Sequence, residues 1–378
     1  MQGKRYISWM LGIVILAGTG WSYWSKKQNE KPTEVESKAP PETTTAAKPL
    51  QTPIEVQNAS LRDEKVEVLE LNLAVNQRFP MIKTVEQTLS QASAAGIVNS
   101  KSKLELILAL TVEELRDDGR KRFKVRYTGV KYSHDIAGER VNYDSNRTSG
   151  PVPPEVQAYQ RLVDNGFSFW IGADNKIVEL VGFDDFLKRC LQNTPASQRE
   201  TVLAKISESS GDDGVANFID DSIGLLPYNI DEHHKGGAIR VGETWTKTRR
   251  LTQPIPMTLK TEYTLRELND KIATINIAGD IAASKISSPI NQNGKSVQLY
   301  IRGGKSFGTC MIDRKTGLPL ESKIERFLET TVKLASGKQF EQQKQIVTTI
   351  RAFPHQEERP LGPAAKITPR GTLKRSAN

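Results

Sequence analysis

Asp231-Glu232-His233-His234 is the densest group of potential metal ligands and acid–base residues in the chain. Carboxylate and imidazole together can hold a metal or move a proton, but a metal needs side chains that converge, and adjacent histidines project apart. The other two histidines, His134 and His355, lie far away in sequence. The tetrad reads as a solvated loop, with an envelope-polymer hydrolase site as the alternative. Carboxylates also pair at Asp117-Asp118, Asp184-Asp185, Asp212-Asp213 and Asp220-Asp221. Such pairs do acid–base work when their environments push the two pKa values apart. Here two of the pairs fall at expected helix starts and one in a turn, where capping and the helix dipole account for them.

Other catalytic signatures are missing from the sequence: no Gly-x-Ser-x-Gly elbow, no phosphate loop, no Cys-x-x-Cys. The two cysteines, Cys190 and Cys310, are too few for a disulfide scaffold. They read as one bridge or as two buried thiols. Trp170 and Trp245 read as core or sheet-face residues, with an aromatic ligand platform as the alternative. No catalytic residue, cofactor or metal ligand is nominated. The expected class is a non-catalytic binding or scaffold module rather than an enzyme, with a hydrophobic ligand or an envelope protein as partner. Net charge is +9 over 378 residues. No dense basic block interleaved with aromatics accompanies it, so nucleic acid is not an expected partner.

The elements that would position these residues are mainly strands. Leu104, Leu106, Leu108, Leu110 and Val112 alternate strictly, the pattern of a strand with one buried face. Asp117-Asp118-Gly119-Arg120 supplies a hairpin turn, and Phe123, Val125 and Tyr127 carry the return. Long hairpins are expected again over 259–281 and 318–350, with turns at Asn269-Asp270, Asp313–Gly317 and Ser336-Gly337. Val66 to Val75 reads as a bulged strand, followed by a polar stretch from Lys83 to Gln91. Shorter strands are expected at Val141-Tyr143, Phe167–Ile171 and Ile177–Val181. Between the strand-rich halves, Phe183, Phe186, Leu187, Cys190 and Leu191 share one helical face. Thr194 with Pro195 starts a second expected helix, and Asp213 caps a third through Ile223. The fold class expected from this pattern is α+β: a long curved antiparallel sheet, or two, with a central helical block packed on the apolar face.

Tyr6 to Trp24 is an uncharged apolar run with aromatic residues at both ends and Lys4, Arg5, Lys26 and Lys27 outside it. A spanning helix needs about 20 such residues, and rings at both ends suit the membrane interfaces. The run reads as an uncleaved signal anchor occupying residues 1–25, with a cleaved signal as the alternative. Residues 26–59, rich in Pro, Thr, Lys and Glu, read as a disordered spacer. Residues 60–353 form the expected extracytoplasmic domain, and 354–378 a disordered basic tail. The resulting expectation is a single-pass protein of a bacterial inner membrane with its folded part in the periplasm.

Five segments occur in order: LNLAVNQRFPMIKTVEQTLSQ, VNYDS, FSFWIGADNKIVELVGFDDFL, VGETWTKT and GTCMIDRKTGLPLES. They resemble an uncharacterised family of exported bacterial proteins known only as a domain of unknown function. The resemblance implies a β-rich extracytoplasmic domain over most of 60–353 and carries no catalytic residue.

Overall fold

The computed structural model describes residues 67–93, 96–136, 139–147, 152, 156–192, 222–226, 238–251, 257–283, 288–292, 295–334, 337 and 339–353. Among them the organising element is one large antiparallel sheet. Its long strands are β2 (Arg78–Ser93), β3 (Gly96–Leu115), β4 (Lys121–Ile136), β13 (Lys295–Asp313), β14 (Pro319–Leu334) and β15 (Gln339–Ala352). Shorter members are β5 (Glu139–Asp144), β6 (Gly166–Ile171), β7 (Ile177–Val181), β9 (Thr244–Leu251), β10 (Met257–Leu268), β11 (Ile272–Ile281) and β12 (Ser288–Gln292). The order across the sheet is β7-β6-β4-β3-β2-β15-β14-β13-β11-β10-β9, with β5 on β4 and β12 on β13. A separate ribbon pairs β1 (Glu67–Val68) with β8 (Ala238–Ile239).

Most neighbours in this sheet are hairpin partners. The exception that joins the halves is β2 with β15, which brings Met81 opposite Ala352 and Gln91 opposite Gln342. The turns follow local chemistry. Gly119 between β3 and β4 has φ +83°, and Asn175 between β6 and β7 has φ +59°. Gly317 after β13 has φ +70°, and a side chain there would lie 1.8 Å from the Glu70 carbonyl oxygen.

One sheet face carries the main core. Phe79, Met81, Leu104, Leu106, Leu108, Leu110, Val112, Phe123, Phe169 and Ile275 are buried there. Phe167 packs against Phe183 and Phe186 with ring centroids 4.9 and 5.1 Å away. Burying a side chain of this size stabilises by about 1.5–3 kcal/mol, so this face accounts for much of the driving force.

The expected α+β class with a central helical block is corrected to a β-rich fold. Among the described residues, helix is confined to one turn, α1 (Gln157–Gln160), and two turns, α2 (Phe183–Cys190), with a 3-10 turn at Ile223–Leu225. The periodicity of Phe186, Leu187 and Cys190 is real, since all three are buried, but the helix covers only 8 residues. The expected helices beginning at Thr194 and Asp213 lie outside the described residues, apart from Ser222 and Ile223 at the end of the one beginning at Asp213.

Two further expectations change. Residues 69–74 form no ladder, although Leu69, Leu71 and Leu73 are buried. Their alternation comes from insertion into the core, held by Asn72 N–H donating to the Thr316 carbonyl at 3.0 Å. Conversely, the polar stretch Lys83 to Gln91 is the middle of β2.

No helix among the described residues is long and apolar enough to cross a membrane. The single-pass inner-membrane placement is therefore unsupported by any described helix, and the signal anchor and membrane contact expected at Tyr6–Trp24 lie outside the described residues. Residues 1–66, which include the expected spacer, and the tail 354–378 lie outside the described residues.

Candidate functional site

The two sheet faces differ in charge. Register assigns Glu86, Glu105, Glu262, Glu321, Glu325 and Glu341 to the outer face, interleaved with cations. Outer pairs close across strands: Lys103 to Glu86 and Lys131 to Glu105, both at 2.7 Å. Each such exposed pair contributes about 0.2–1 kcal/mol. Phe307 and Phe327 stack on the same face, centroids 5.6 Å apart, and remain largely exposed.

The core face follows another rule. On the eight strands from β3 through β2 and β15 to β9, the positions facing the core carry Lys83, Lys247, Arg249, Arg326 and Lys344, and not one Asp or Glu. Lys83 lies across from Leu106 and Ile350, within the main core. Lys247 donates its Nζ to the carbonyls of Gly224 and Leu226.

The other cations lie further along the face, beyond the main core. One row there runs Leu89–Lys344–Leu328–Gly304–Ile281–Leu259–Arg249 across β2, β15, β14, β13, β11, β10 and β9. Leu259, Ile281, Ile301 and Leu328 form a second buried apolar cluster, with Met257 and Ile346 against it. From β14 to β9 this row spans four strand spacings, roughly 19 Å. Gly304 lies in the middle of this row, with Gly279 nearby. A side chain on Gly304 would meet the Phe327 carbonyl at 2.2 Å and one on Gly279 the Lys260 carbonyl at 2.9 Å. Close strand approach therefore requires glycine at Gly304.

Lys344 is half-buried, and burial pulls its ammonium pKa down to about 7. Charge is costly to desolvate in apolar surroundings, which favours the neutral amine. One step further out on the same face, Gln342 Nε2 donates to Gln91 Oε1 at 2.8 Å. Gln91 is 6% exposed, and its own Nε2 is buried without a hydrogen-bond partner. A buried donor left in that state costs about 1–3 kcal/mol.

On the outer face, a furrow of about 370 Å³ lies over β2, β3, β4 and β5, lined by Glu86, Lys101, Lys103, Asp135, Arg140 and Asn142 among others. Its two carboxylates are both ion-paired, Glu86 with Lys103 and Asp135 with Arg140 at 2.8 Å. His134 points to the core face, its Nδ1 3.2 Å from the Tyr132 hydroxyl. The furrow therefore has the character of a solvated, charge-balanced surface.

The residues singled out by sequence do not converge. Asp231–His234 lies outside the described residues, as do Asp212-Asp213 and Asp220-Asp221. Asp118 sits in the β3–β4 turn, where the backbone N–H and the side chain of Arg120 hold its carboxyl below the usual range. Asp184 and Asp185 occupy the first turn of α2, with Asp185 3.2 Å from Lys188. Cys190 and Cys310 are free and buried. Burial pushes the Cys190 thiol up to about 12 and the Cys310 thiol higher still, so neither is an activated nucleophile.

The tryptophans take different places. Trp245 is buried on the core face and stacks on Tyr263 at 5.5 Å. Trp170 faces outward under Arg116, whose guanidinium carbon is 4.1 Å from the ring centroid. Arg120 and Arg122 flank it at 6.0 Å, and each of the three arginines also pairs with a nearby carboxylate. These guanidinium groups cover the ring, leaving it 4% exposed.

Sequence reasoning missed Lys344, Arg326 and Gln91. The available signal was polar residues at strand parity, such as Lys83, Gln87 and Gln91 in β2, which made that strand read only as a polar stretch.

Among solved structures, lipovitellin matches with TM-score 0.36 and 10% identity, over 75% of this chain and 26% of the lipovitellin chain. The chain thus spans about a quarter of that protein. The outer-membrane channel COG4313 from Pseudomonas putida F1 matches at TM-score 0.18 and 9% identity, over 75% and 97% of the two chains. OpdQ from Pseudomonas aeruginosa matches at 0.17 and 5%, over 74% and 100%. Scores this low carry no argument about fold or ligand. No curated protein matches the sequence. Residues 118–319, just over half of the chain, match the model of a family of unknown function, DUF6263, and the strand-rich protein described above belongs to that family.

Proposed function

We propose that this protein is a non-catalytic binding module that holds an elongated hydrophobic ligand on the distal part of its core face. The observation that carries this reading is the second apolar cluster, Leu259, Ile281, Ile301 and Leu328, which is set apart from the main core on the same sheet face. Here it lies in a row about the length of an extended chain molecule rather than a compact one. Backbone hydrogen bonds of the sheet are already satisfied within the ladders, so a ligand on this face would meet side chains only.

Native mass spectrometry of the purified full chain tests the reading. Co-purified acyl-bearing molecules are expected, together with saturable binding of added oleyl alcohol. Absence of both would discard it. Leu328→Asp, which places a charge in the apolar row, is expected to abolish oleyl alcohol binding.

A further inference from the structure

We infer that the outer face of the sheet carries a binding site of its own, for an extended neutral polysaccharide. The sugar chain lies across the strands, from the Phe307–Phe327 pair on β13 and β14 to the furrow over β2, β3, β4 and β5.

Three observations support this. The first is the aromatic pair. Phe307 and Phe327 are 48% and 39% exposed, and their rings are nearly parallel, at 22°. They stand among charged and polar neighbours such as Lys305, Thr309 and Glu325. Across from Phe307 on β11 is Ala278, whose methyl group is too short to cover a ring. Stacking across the strands contributes about 0.2–1 kcal/mol to the sheet. Each ring still keeps much of its apolar surface in water, which favours a ligand that covers it.

The second is continuity. Phe327 heads a row in direct register, Phe327–Gln345–Thr88–Lys101–Asp135–Arg140, whose last four members line the furrow. Phe307 heads the adjacent row, which passes Glu325, Val347, Glu86 and Lys103 to Ser133. Its last three members also line the furrow. From Phe327 to Arg140 the first row crosses five strand spacings, roughly 24 Å. That is the length of several linked sugars rather than of one.

The third is the chemistry along these rows. Glu86 pairs with Lys103 and Asp135 with Arg140, so the track favours neither a polyanion nor a polycation. Beside the rings, Gln345 Nε2 donates to Glu325 Oε1, which leaves Gln345 Oε1 and Glu325 Oε2 to accept from a ligand. Thr88 and Ser133 add hydroxyls that both donate and accept. A sugar matches this mixture. Its C–H face carries partial positive charge and lies on the negative face of an aromatic ring, while its hydroxyl edge exchanges hydrogen bonds with amide, carboxylate and hydroxyl groups.

This site shares no residue with the core-face site, so the two are tested separately. Isothermal titration of the full chain with cellohexaose, laminarihexaose, maltohexaose and mannohexaose tests the proposal. Saturable binding of at least one is expected, tighter than its disaccharide by at least about tenfold because several contacts act together. Phe307→Ala and Phe327→Ala should each weaken the hexasaccharide about tenfold, and Phe327→Tyr, which keeps the ring, should stay within about twofold of wild type. Ser133→Ala, at the furrow end, should also weaken it. Oleyl alcohol should not displace it. Circular dichroism of each variant checks that it folds, and Ser133→Ala serves if a phenylalanine variant does not. Binding of none of the four sugars, or binding that the phenylalanine variants leave unchanged, overturns the site. Preferred binding of polygalacturonate that high salt abolishes would mean a cationic surface, and overturns the neutral ligand. Dimers in analytical ultracentrifugation that Phe307→Ala dissolves, without sugar binding, would mean a contact between copies and overturn it as well.

Discussion

Lys344 on β15 and Arg326 on β14 are diagonal neighbours on the core face, with Leu328 and Ile346 completing the square between the two strands. Two cations on adjacent strands repel each other and lose hydration. Both lie beside the second apolar cluster, where burial lowers the Lys344 ammonium pKa.

Lys344→Met should therefore stabilise the protein. The Lys344 pKa falls from 10.5 in the unfolded chain to about 7 in the folded one, so the unfolded state binds more protons between those values. The penalty is fully present below pH 7 and is relieved as pH rises toward 10.5, up to about 4 kcal/mol at pH 7. Urea unfolding should show wild-type stability rising between about pH 7 and pH 9.5 relative to the variant. Parallel curves would contradict this.

Gly317→Ala and Gly337→Ala offer a matched pair. Both glycines have positive φ, +70° and +81°. Alanine at 317 would collide with the Glu70 carbonyl, whereas nothing lies within 4 Å at 337. The first substitution should cost more than about 3 kcal/mol and the second about 1 kcal/mol, the backbone term alone. Thermal denaturation of both variants checks the difference.

Glu67 grips Arg314 through two hydrogen bonds, Nε to Oε1 at 2.9 Å and Nη2 to Oε2 at 2.7 Å. The pair is largely shielded, with side-chain exposures of 23% for Arg314 and 16% for Glu67. Glu67→Gln should cost about 1–3 kcal/mol. Leu69→Ala should cost about 2–4 kcal/mol, as for other buried leucines. Chain truncated before residue 75 should lose cooperative unfolding, because Leu69, Leu71 and Leu73 leave the core with it. Urea denaturation of each checks these outcomes.

Neither thiol should react with iodoacetamide in the folded protein, since both are buried and their pKa values are raised. Both should react after unfolding. Fast native labelling of Cys190 would mean that α2 opens readily.

Much of the strand framework is legible in the residues. Leu104 to Val112 predicts β3 because each apolar residue returns to one face, and Asp117–Gly119 predicts its turn because Gly119 takes a positive φ. The hairpins over 259–281 and 318–350 follow in the same way. β2 does not, because Lys83, Gln87 and Gln91 occupy its core-facing positions and erase the alternation. The same placement of polar residues at core parity hid the candidate site, as with Arg326 and Lys344. Phe186, Leu187 and Cys190 led to the opposite error, since a genuine helical stripe in α2 was extended into a helical block.

The order of residues is enough to place the turns and the hairpins they close, because turn geometry and a period of two depend on near neighbours. It also puts the chain among proteins rich in antiparallel strands. The pairing of β2 with β15 emerges only in the folded chain, where Gln91 meets Gln342 across a separation of 251 residues. Hydrogen-bond ladders between distant strands are nearly indifferent to side-chain identity, so their partners and register follow from burial of the whole face. The meeting of Lys344, Arg326 and Gln91 is a product of that pairing.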